Sequence, residues 1–343
     1  MTTSHPAKRV TAGTIVKKAA LGVAAGAGLY ALASAIAFEF TIDTKSPISI
    51  FAMKKSGRFK VMQTPSDFTA EAAAWFHNQK HSVYTDSTDG KQLHAWKFEP
   101  FDSTPRPHQY VLCIHGYMGT PTEMQPWAYH FAMRGFTILV PWLSGEGLQH
   151  NRYTGMTYTE SLDTLDWINY IIGQDPQAQI LLDGTSMGGS TVILAAGDHP
   201  MPSNVKAILC DSAFDSPYEE MIGSTQRNTH LPRPIAKALV NGVDVINRMV
   251  QGFSFKDISI TDAVSRITLP IQFLQGADDK VVPKDSIMHL YDACPSTDKR
   301  QLVIPGAAHV YEVLTEPELY WTTVDSFVDD YFPAPQQTAK KSK

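Results

Sequence analysis

Short apolar runs alternate with longer amphipathic segments through most of the chain after residue 80. The apolar runs have the length and composition of buried strands, and they lie at 110–114, 136–140, 180–182, 205–209, 271–274 and 301–304. Between them, apolar residues recur at helical spacing over 122–134, 158–172, 187–197, 284–293 and 316–331. Strands that alternate with helices in this way predict an α/β domain with a mostly parallel sheet.

Two features precede this alternation. Segments 81–85 and 92–98 flank Thr88-Asp89-Gly90, a turn sequence that joins hairpin strands, so a β-hairpin is predicted to open the domain. Before it, Ser66 or Asp67 is a suitable cap for a short helix that ends near Lys80.

The stretch 214–267 interrupts the rhythm, because it is too long for a simple connection between a strand and the next helix. It contains helical patterns such as 235–250. We therefore predict a short helical lid, inserted over the carboxyl edge of the sheet.

The N-terminal part carries an uncharged stretch at 19–38, just long enough to span a bilayer as a helix. The Ala33-Ser34-Ala35 sequence would suit a signal peptidase, so a cleaved signal peptide is the alternative to an anchor, and a buried soluble helix is a third reading. We favour the uncleaved anchor, because the apolar run is longer than a usual signal core. Basic residues on the amino side favour an inside N-terminus and those on the other side weaken that bias; they are Lys8, Arg9, Lys17 and Lys18, then Lys45, Lys54, Lys55 and Arg58.

The predicted organisation has five parts. A basic segment at 1–18 lies on the cytoplasmic side, the anchor or signal peptide is 19–38, and 39–65 is a linker. The α/β domain with its lid covers 66–333, and a polar basic tail occupies 334–343.

Composition excludes several classes of protein. The chain has 343 residues, of which 43% are apolar and 18% charged, and its net charge is −5, so no nucleic-acid-binding surface is indicated. Three cysteines, Cys113, Cys210 and Cys294, are far apart and lack zinc-site spacing, so neither a disulfide framework nor a metal site is expected.

A serine lies in the pentapeptide Gly184-Thr185-Ser186-Met187-Gly188, directly after the predicted strand 180–182 and at the start of a helical pattern. G-x-S-x-G in this context is typical of a nucleophile on a tight turn. The turn leaves no space for side chains at the flanking positions, and its strained backbone raises the serine hydroxyl above the sheet edge. An ordinary turn with a capping serine is the alternative.

A serine nucleophile needs a base, and the base needs a carboxylate to orient it. With this motif the partners follow the serine in the order Asp or Glu, then His. His309 follows the last predicted strand and is the predicted general base for Ser186. Asp279 follows the strand 271–274, with Asp278 and Asp211 as alternative carboxylates.

From about residue 81 to 332 the chain resembles the α/β-hydrolase superfamily, and within it the exported or membrane-anchored hydrolases of Gram-positive bacteria. Besides the pentapeptide, the stretches that carry this resemblance are WINYI at 167–171, SMGGSTV at 186–192, NVKAI at 204–208 and DSAFDS at 211–216. The resemblance implies the α/β-hydrolase fold, with a mostly parallel eight-stranded sheet and flanking helices, and hydrolysis without a cofactor.

The resemblance also bears on individual residues. It favours Asp279 over Asp278, because Asp279 has the family's spacing before Val282-Pro283. It implies that the loop after strand 110–114 provides an oxyanion donor, so the backbone N–H groups of Tyr117 and Met187 are the expected oxyanion hole. His115 in the same loop is expected to be structural, with its ring bonded to nearby backbone.

One departure affects the lining of the site. Such proteins usually have Asp-x-Arg-Gly-His-Gly after the fourth strand, and this chain has Pro-Trp-Leu-Ser-Gly-Glu-Gly at 141–147.

The leading functional hypothesis is hydrolysis of a carboxylic ester through an acyl-enzyme, by a membrane-held enzyme whose catalytic domain is extracellular, or secreted if the N-terminal segment is cleaved. An aminopeptidase-like amidase is the first alternative, because an acidic pair such as Glu219 and Glu220 in the lid could hold a substrate amine. A solvated helix face is the favoured explanation of that pair. A non-catalytic surface binding protein is the second alternative. The expected partners are a small ester or amide and the membrane; the sequence does not indicate an oligomeric state.

Overall fold

The structure is a computed structural model that describes residues 12–57, 70–101, 105–145 and 151–334. The helix start expected at Ser66 or Asp67, the basic residues Lys8, Arg9 and Arg58, and tail residues 335–343 lie outside this part of the chain.

Eight strands form one sheet in the order β1-β2-β4-β3-β5-β6-β7-β8. Strand β2 pairs antiparallel with both β1 and β4, and every other neighbouring pair is parallel. The predicted hairpin and mostly parallel sheet are therefore confirmed, as is the α/β-hydrolase fold. The strands are β1 His81–Asp86, β2 Gln92–Phe98, β3 Gln109–Ile114, β4 Thr137–Pro141, β5 Gln179–Thr185, β6 Val205–Asp211, β7 Ile271–Gly276 and β8 Lys299–Ile304.

Helices cover both faces of the sheet, and each face has its own apolar core. The helices are α1 Ala12–Thr41, α2 Ile50–Lys55, α3 Ala70–Gln79, α4 Gln125–Met133, α5 Tyr158–Gln174, α6 Met187–Asp198, α7 Pro217–Thr229, α8 Arg233–Gln251, α9 Ile260–Val264, α10 Lys284–Ala293, α11 Glu312–Thr315 and α12 Pro317–Tyr331. Helices α3, α4 and α12 pack on one face, and α5, α6 and α10 pack on the other. Burial of both faces explains why the central strands are continuous apolar runs.

Within the α/β domain, two helical segments differ from the sequence prediction. The pattern at 122–134 divides into a 3₁₀ turn, Pro121–Met124, and α4. Pro126 explains the division, because proline lacks the N–H that a continuous helix needs and is tolerated only in a first turn. Helix α11 was not predicted, and with four residues it is too short to show a period.

The interrupting stretch 214–267 contains two long helices, α7 and α8, followed by a 3₁₀ turn, Phe255–Asp257, and α9. Only α7 and α8 lie over the site. Helix α9 packs on α6 so closely that a Cβ on Gly197 would lie 2.1 Å from the carbonyl oxygen of Ala263. The C-terminal end of the stretch 214–267, which contains α9, is therefore part of the domain body.

The N-terminal helix α1 contacts α8. Within the described residues, one helical window, Ala24–Thr41, is long and apolar enough to cross a membrane, a property shared by anchors, signal sequences and core helices of soluble proteins. Its C-terminal end is docked on the domain, where Phe38 is buried against Tyr153. In the segment 39–65, α1 continues to Thr41 and α2 begins after Ser49, whose hydroxyl caps it.

Candidate active site

Ser186 occupies a sharp turn between β5 and α6, with a φ of 55°. A Cβ on Gly184 would lie 2.3 Å from the carbonyl oxygen of Gly188, and one on Gly188 would lie 2.0 Å from that of Ile114. The two glycines therefore let strand, turn and helix approach one another, and the strained serine projects from the carboxyl edge of the sheet.

Replacing Gly188 by alanine is expected to lower the free energy of unfolding by roughly 3 kcal/mol or more, because the added methyl group meets rigid backbone of β3. The matched control is Gly173→Ala in α5, where nothing lies within 4 Å of the added Cβ. That change should be neutral or stabilising by up to about 1 kcal/mol. Urea unfolding measures both, and equal effects of the two substitutions would contradict the packing argument.

His309 and Asp279 complete a hydrogen-bonded chain with Ser186. The Nε2 atom of His309 lies 2.8 Å from Ser186 Oγ, and its Nδ1 atom lies 2.7 Å from Asp279 Oδ2. The Asp279 side chain is fully buried, and 13% of the His309 side chain is exposed. Of the alternative carboxylates, Asp278 is exposed and Asp211 accepts a 2.9 Å hydrogen bond from Tyr320.

Asp279 has three further donors. Its Oδ1 atom accepts backbone N–H bonds of 2.7 Å from Val281 and 2.9 Å from Val282, and its Oδ2 atom accepts a 2.7 Å bond from Gln275 Nε2. Gln275 is buried at the end of β7, and sequence reasoning missed it. No local signal singles it out, because β7 contains a second buried glutamine, Gln272.

A buried polar network supports the loop that carries His309. The hydroxyl of Ser212 donates to Glu312 at 2.8 Å and accepts the N–H of Val310, the residue after His309, at 3.4 Å. Burial raises the pKa of Glu312 well above its ordinary value, and it raises that of Asp211 to about 6. Burial therefore favours the protonated state of Glu312, whereas a pKa of about 6 leaves Asp211 mostly ionised at neutral pH.

The loop after β3 passes directly over the serine. A Cβ on Gly116 would lie 3.2 Å from Ser186 Cβ, and Tyr117 follows in the chain. The Tyr117 hydroxyl donates a 2.5 Å bond to the carbonyl of Thr41, at the end of α1. His115 Nδ1 lies 2.9 Å from the carbonyl oxygen of Gly116, and burial lowers the pKa of this ring to about 4, so it is neutral. Met187 is the first residue of α6.

Comparison with known proteins identifies the family. The family model described as "Serine aminopeptidase, S33" matches residues 105–245 and 238–318, more than half of the chain. The chain belongs to this family. The S33 match includes Ser186 and His309 and extends into the two helices over the site.

Curated relatives include lipases. A thermostable monoacylglycerol lipase from Bacillus sp. is 25% identical over 213 residues, which cover 58% of this chain and 82% of the relative. Rat monoglyceride lipase is 25% identical over 172 residues, 43% of this chain and 57% of the relative. This S33 hydrolase is therefore a distant homologue of ester-cleaving enzymes.

Solved structures confirm the fold. An esterase of Pyrococcus furiosus, Pf2001, superposes with a TM-score of 0.60 at 18% identity, covering 78% of this chain and 95% of that one. Est1E from Butyrivibrio proteoclasticus superposes with a TM-score of 0.53 at 21% identity, covering 73% of this chain and 98% of that one.

A cavity of about 530 Å³ lies above Ser186 in this S33 hydrolase, large enough for a small-molecule ligand. Apolar side chains from α1, α2 and α8 form much of its wall, while α7 contributes polar ones. Apolar lining residues include Phe40, Ile42, Ile50, Phe214, Met221, Leu239, Val240 and Val243, and polar ones include Lys54, Glu123, Glu220, Ser224, Thr225, Arg227 and Asn228.

Glu220 is the buried acid of this cavity. It forms an ion pair with Arg227, and its side chain is 12% exposed. Burial is the largest influence and raises the pKa of Glu220 to about 7, although Arg227 and His309 act in the opposite direction. Glu219, by contrast, points outward and pairs with Arg233, with 45% of its side chain exposed.

The raised pKa of Glu220 predicts a pH-dependent stability. Because the folded protein holds the Glu220 proton more tightly than the unfolded chain, this contribution is fully present below the ordinary pKa of 4.5 and is lost as the pH rises through about 7. Between pH 4.5 and 8 we expect the free energy of unfolding of wild type to fall by about 3 kcal/mol relative to that of Glu220→Gln. This follows from about 1.4 kcal/mol per pKa unit. Urea unfolding at both pH values measures it. Glu219→Gln is the exposed control, and an equal pH dependence in both variants would contradict the burial argument.

The segment after β4 that departs from the family pattern makes contacts of its own. Ser144 donates a 3.0 Å bond to the buried Asp163, whose pKa burial raises to about 7, and Asn151 donates to Ser144 at 2.6 Å. The hydroxyl of Thr44 donates to the carbonyl of Gly145. The loop thus anchors the segment that follows α1; Glu146 and Gly147 lie outside the described residues.

Metal-ligating residues do not gather in the described part of the chain, where no group of three or more His, Cys, Asp or Glu side chains could hold an ion.

Proposed function

We propose that this protein is a serine hydrolase that cleaves a carboxylic ester through an acyl-enzyme formed on Ser186. The observation that carries the proposal is the hydrogen-bonded chain from Ser186 through His309 to Asp279 beneath a partly apolar cavity. Nucleophile, base and orienting carboxylate stand at hydrogen-bond distance without rearrangement.

The mechanism follows from these contacts. With the Nδ1–H of His309 donated to Asp279, Nε2 is the acceptor for the Ser186 proton as Oγ attacks the ester carbonyl. The backbone N–H groups of Tyr117 and Met187 donate hydrogen bonds to the oxyanion of the tetrahedral intermediate. When the intermediate collapses, His309 returns the proton to the departing alcohol. A water molecule, deprotonated by His309, then attacks the acyl-enzyme, and His309 returns that proton to Ser186 Oγ as the acid departs.

Ester substrates are favoured over amides by the chemistry of the cavity. The description of the S33 family, by contrast, favours the amide alternative. An aminopeptidase needs an anionic group that binds the amine of its substrate. Within the described part of the chain, two acids line the cavity, Glu220 and Glu123. Each already has a cationic partner, Arg227 and Lys54 respectively. The apolar wall and the homology to monoacylglycerol lipase support an acyl ester.

Activity-based labelling tests the proposal. A fluorophosphonate is expected to label wild type and not Ser186→Ala, and p-nitrophenyl acyl esters should be hydrolysed faster than aminoacyl p-nitroanilides. Faster cleavage of the anilides would establish the aminopeptidase-like alternative. If the protein were neither labelled nor active on either substrate, the alternative of a non-catalytic binding protein would be favoured.

The cell membrane is the proposed location. Helix α1 is its anchor, and the catalytic domain lies outside the cell, as in the membrane-anchored hydrolases that the sequence resembles. Labelling of intact cells with a membrane-impermeant phosphonate tests this orientation, because an internal domain would stay unlabelled until lysis.

A further inference from the structure

The predicted anchor is a wall of the cavity above Ser186. Helix α1 lines the cavity with Ala37, Phe40 and Thr41, and α8 lines it with Leu239 and Val243. Phe40 and Leu239 are also partly exposed, so each helix contributes a residue that lines the cavity and is accessible to solvent.

Helices α1 and α8 are in close contact along this seam. The hydroxyl of Tyr30 donates a 2.8 Å bond to the carbonyl of Ala238. A Cβ on Gly242 would lie 1.9 Å from the hydroxyl oxygen of Ser34, so glycine is what permits the approach. Ser34 is only 2% exposed as a result.

The length of α1 then fixes the depth of α8 in a membrane. A helix rises about 1.5 Å per residue and must cross about 30 Å of hydrocarbon. Residues 19–29, between Lys18 and Tyr30, cover only about 17 Å. A crossing by α1 therefore includes the part that packs on α8, and α8 must lie within the lipid layer beside it.

Helix α8 has a surface suited to lipid. Ile235, Ala238, Gly242, Val245 and Met249 recur at spacings of three and four, which places them on one stripe. Of these, Ile235, Val245 and Met249 are 53%, 57% and 73% exposed. Large exposed apolar side chains arranged in a stripe indicate a contact surface rather than scattered surface residues.

Helix α1 extends this surface on the side away from α8. Leu29, Leu32 and Ile36 are 69%, 58% and 51% exposed, and their spacing of three and four also places them on one stripe.

The charged residues of α8 lie outside its apolar stripe. Arg233, Lys237, Asp244 and Arg248 recur at spacings of four, seven and four, and Asp244 accepts a 2.6 Å hydrogen bond from the backbone N–H of Phe255 in the domain body. The exposed apolar stripe of α8 therefore carries no charge.

We propose that α1 and α8 together lie in the leaflet next to the catalytic domain, and that the substrate is a membrane-resident ester whose long acyl chain enters between them. Its polar head group faces the polar residues of α7, where Ser224 and Asn228 line the cavity. The cavity thus spans the boundary between lipid and water. The substrate assignment rests on the proposed ester hydrolysis, whereas the position of α8 does not.

Environment-sensitive labels test the position of α8 independently of activity. Full-length Met249→Cys and Arg248→Cys are labelled with a nitrobenzoxadiazole (NBD) maleimide in phosphatidylcholine vesicles; the native cysteines Cys113, Cys210 and Cys294 are buried. Because these neighbours face different sides of α8, doxyl groups on the lipid chains should quench the label at 249 several-fold more strongly than that at 248. Equal quenching at the two positions would overturn the proposal.

Substrate entry is tested with Val245→Asp/Met249→Asp, since neither residue lines the cavity. We expect hydrolysis of a long-chain monoacylglycerol in vesicles to fall at least tenfold, while turnover of water-soluble p-nitrophenyl acetate stays within twofold of wild type. An equal effect on both substrates contradicts lateral entry. Failure of wild type to cleave either ester refutes the proposed function instead, and the label experiment still decides where α8 lies.

Discussion

Replacing Ser186 by alanine is expected to lower kcat for ester hydrolysis by roughly 10⁴-fold or more, because the variant cannot form an acyl-enzyme. The cavity lining is unchanged by the loss of one hydroxyl, so KM should change little. Initial rates with p-nitrophenyl esters, together with the loss of fluorophosphonate labelling, measure the effect.

The control for this variant is Ser265→Ala. Ser265 is exposed and bonds only locally, to the carbonyl of Asp262, so its removal should leave kcat within twofold of wild type. Substantial residual turnover by Ser186→Ala, above that of an uncatalysed blank, would assign the nucleophile elsewhere.

Much of the fold could be predicted from the sequence, because the physical cause of each strand is local. A central strand buried on both faces must be a short apolar run, and β3, β5, β6 and β7 all appear as such runs. The edge strand β8 was predicted shorter than it is, at 301–304, because Lys299 and Arg300 are part of the strand although their side chains are charged.

The site was predictable wherever the chemistry fixes an order along the chain. Ser186, Asp279 and His309 each follow a strand, and parallel strands bring their carboxyl ends to one edge of the sheet. Gln275 was not predictable, because nothing local distinguishes a glutamine that holds a carboxylate from one that faces solvent. The same holds for the contact between Ser212 and Glu312, which are far apart in the sequence.

The role of the N-terminal helix could not be predicted for a similar reason. Hydropathy reports the length of α1 and not what it packs against. Its docking depends on Gly242, in a different helix, and on the absence of a side chain there. The segment that follows α1 is likewise held by distant partners, such as the ion pair between Asp43 and Arg152.

Asp279→Asn is expected to lower kcat by roughly 10⁴-fold without unfolding the protein. Oδ1 of Asp279 accepts two backbone N–H groups, so the amide oxygen of an asparagine must stay at that position. Its NH₂ group then takes the place of Oδ2, where the Gln275 amide must turn to present its oxygen. The NH₂ group also donates to His309 Nδ1, which places the ring proton on Nε2. In that tautomer Nε2 cannot accept the Ser186 proton.

Asp278→Asn is the matched control, with the same chemical change one residue earlier on an exposed side chain, and it should keep kcat within threefold of wild type. Steady-state rates of both variants, compared with their melting temperatures, separate catalysis from stability. If Asp278→Asn were inactive and Asp279→Asn active, the orienting carboxylate would be Asp278, and the contact of 2.7 Å between His309 and Asp279 would be structural.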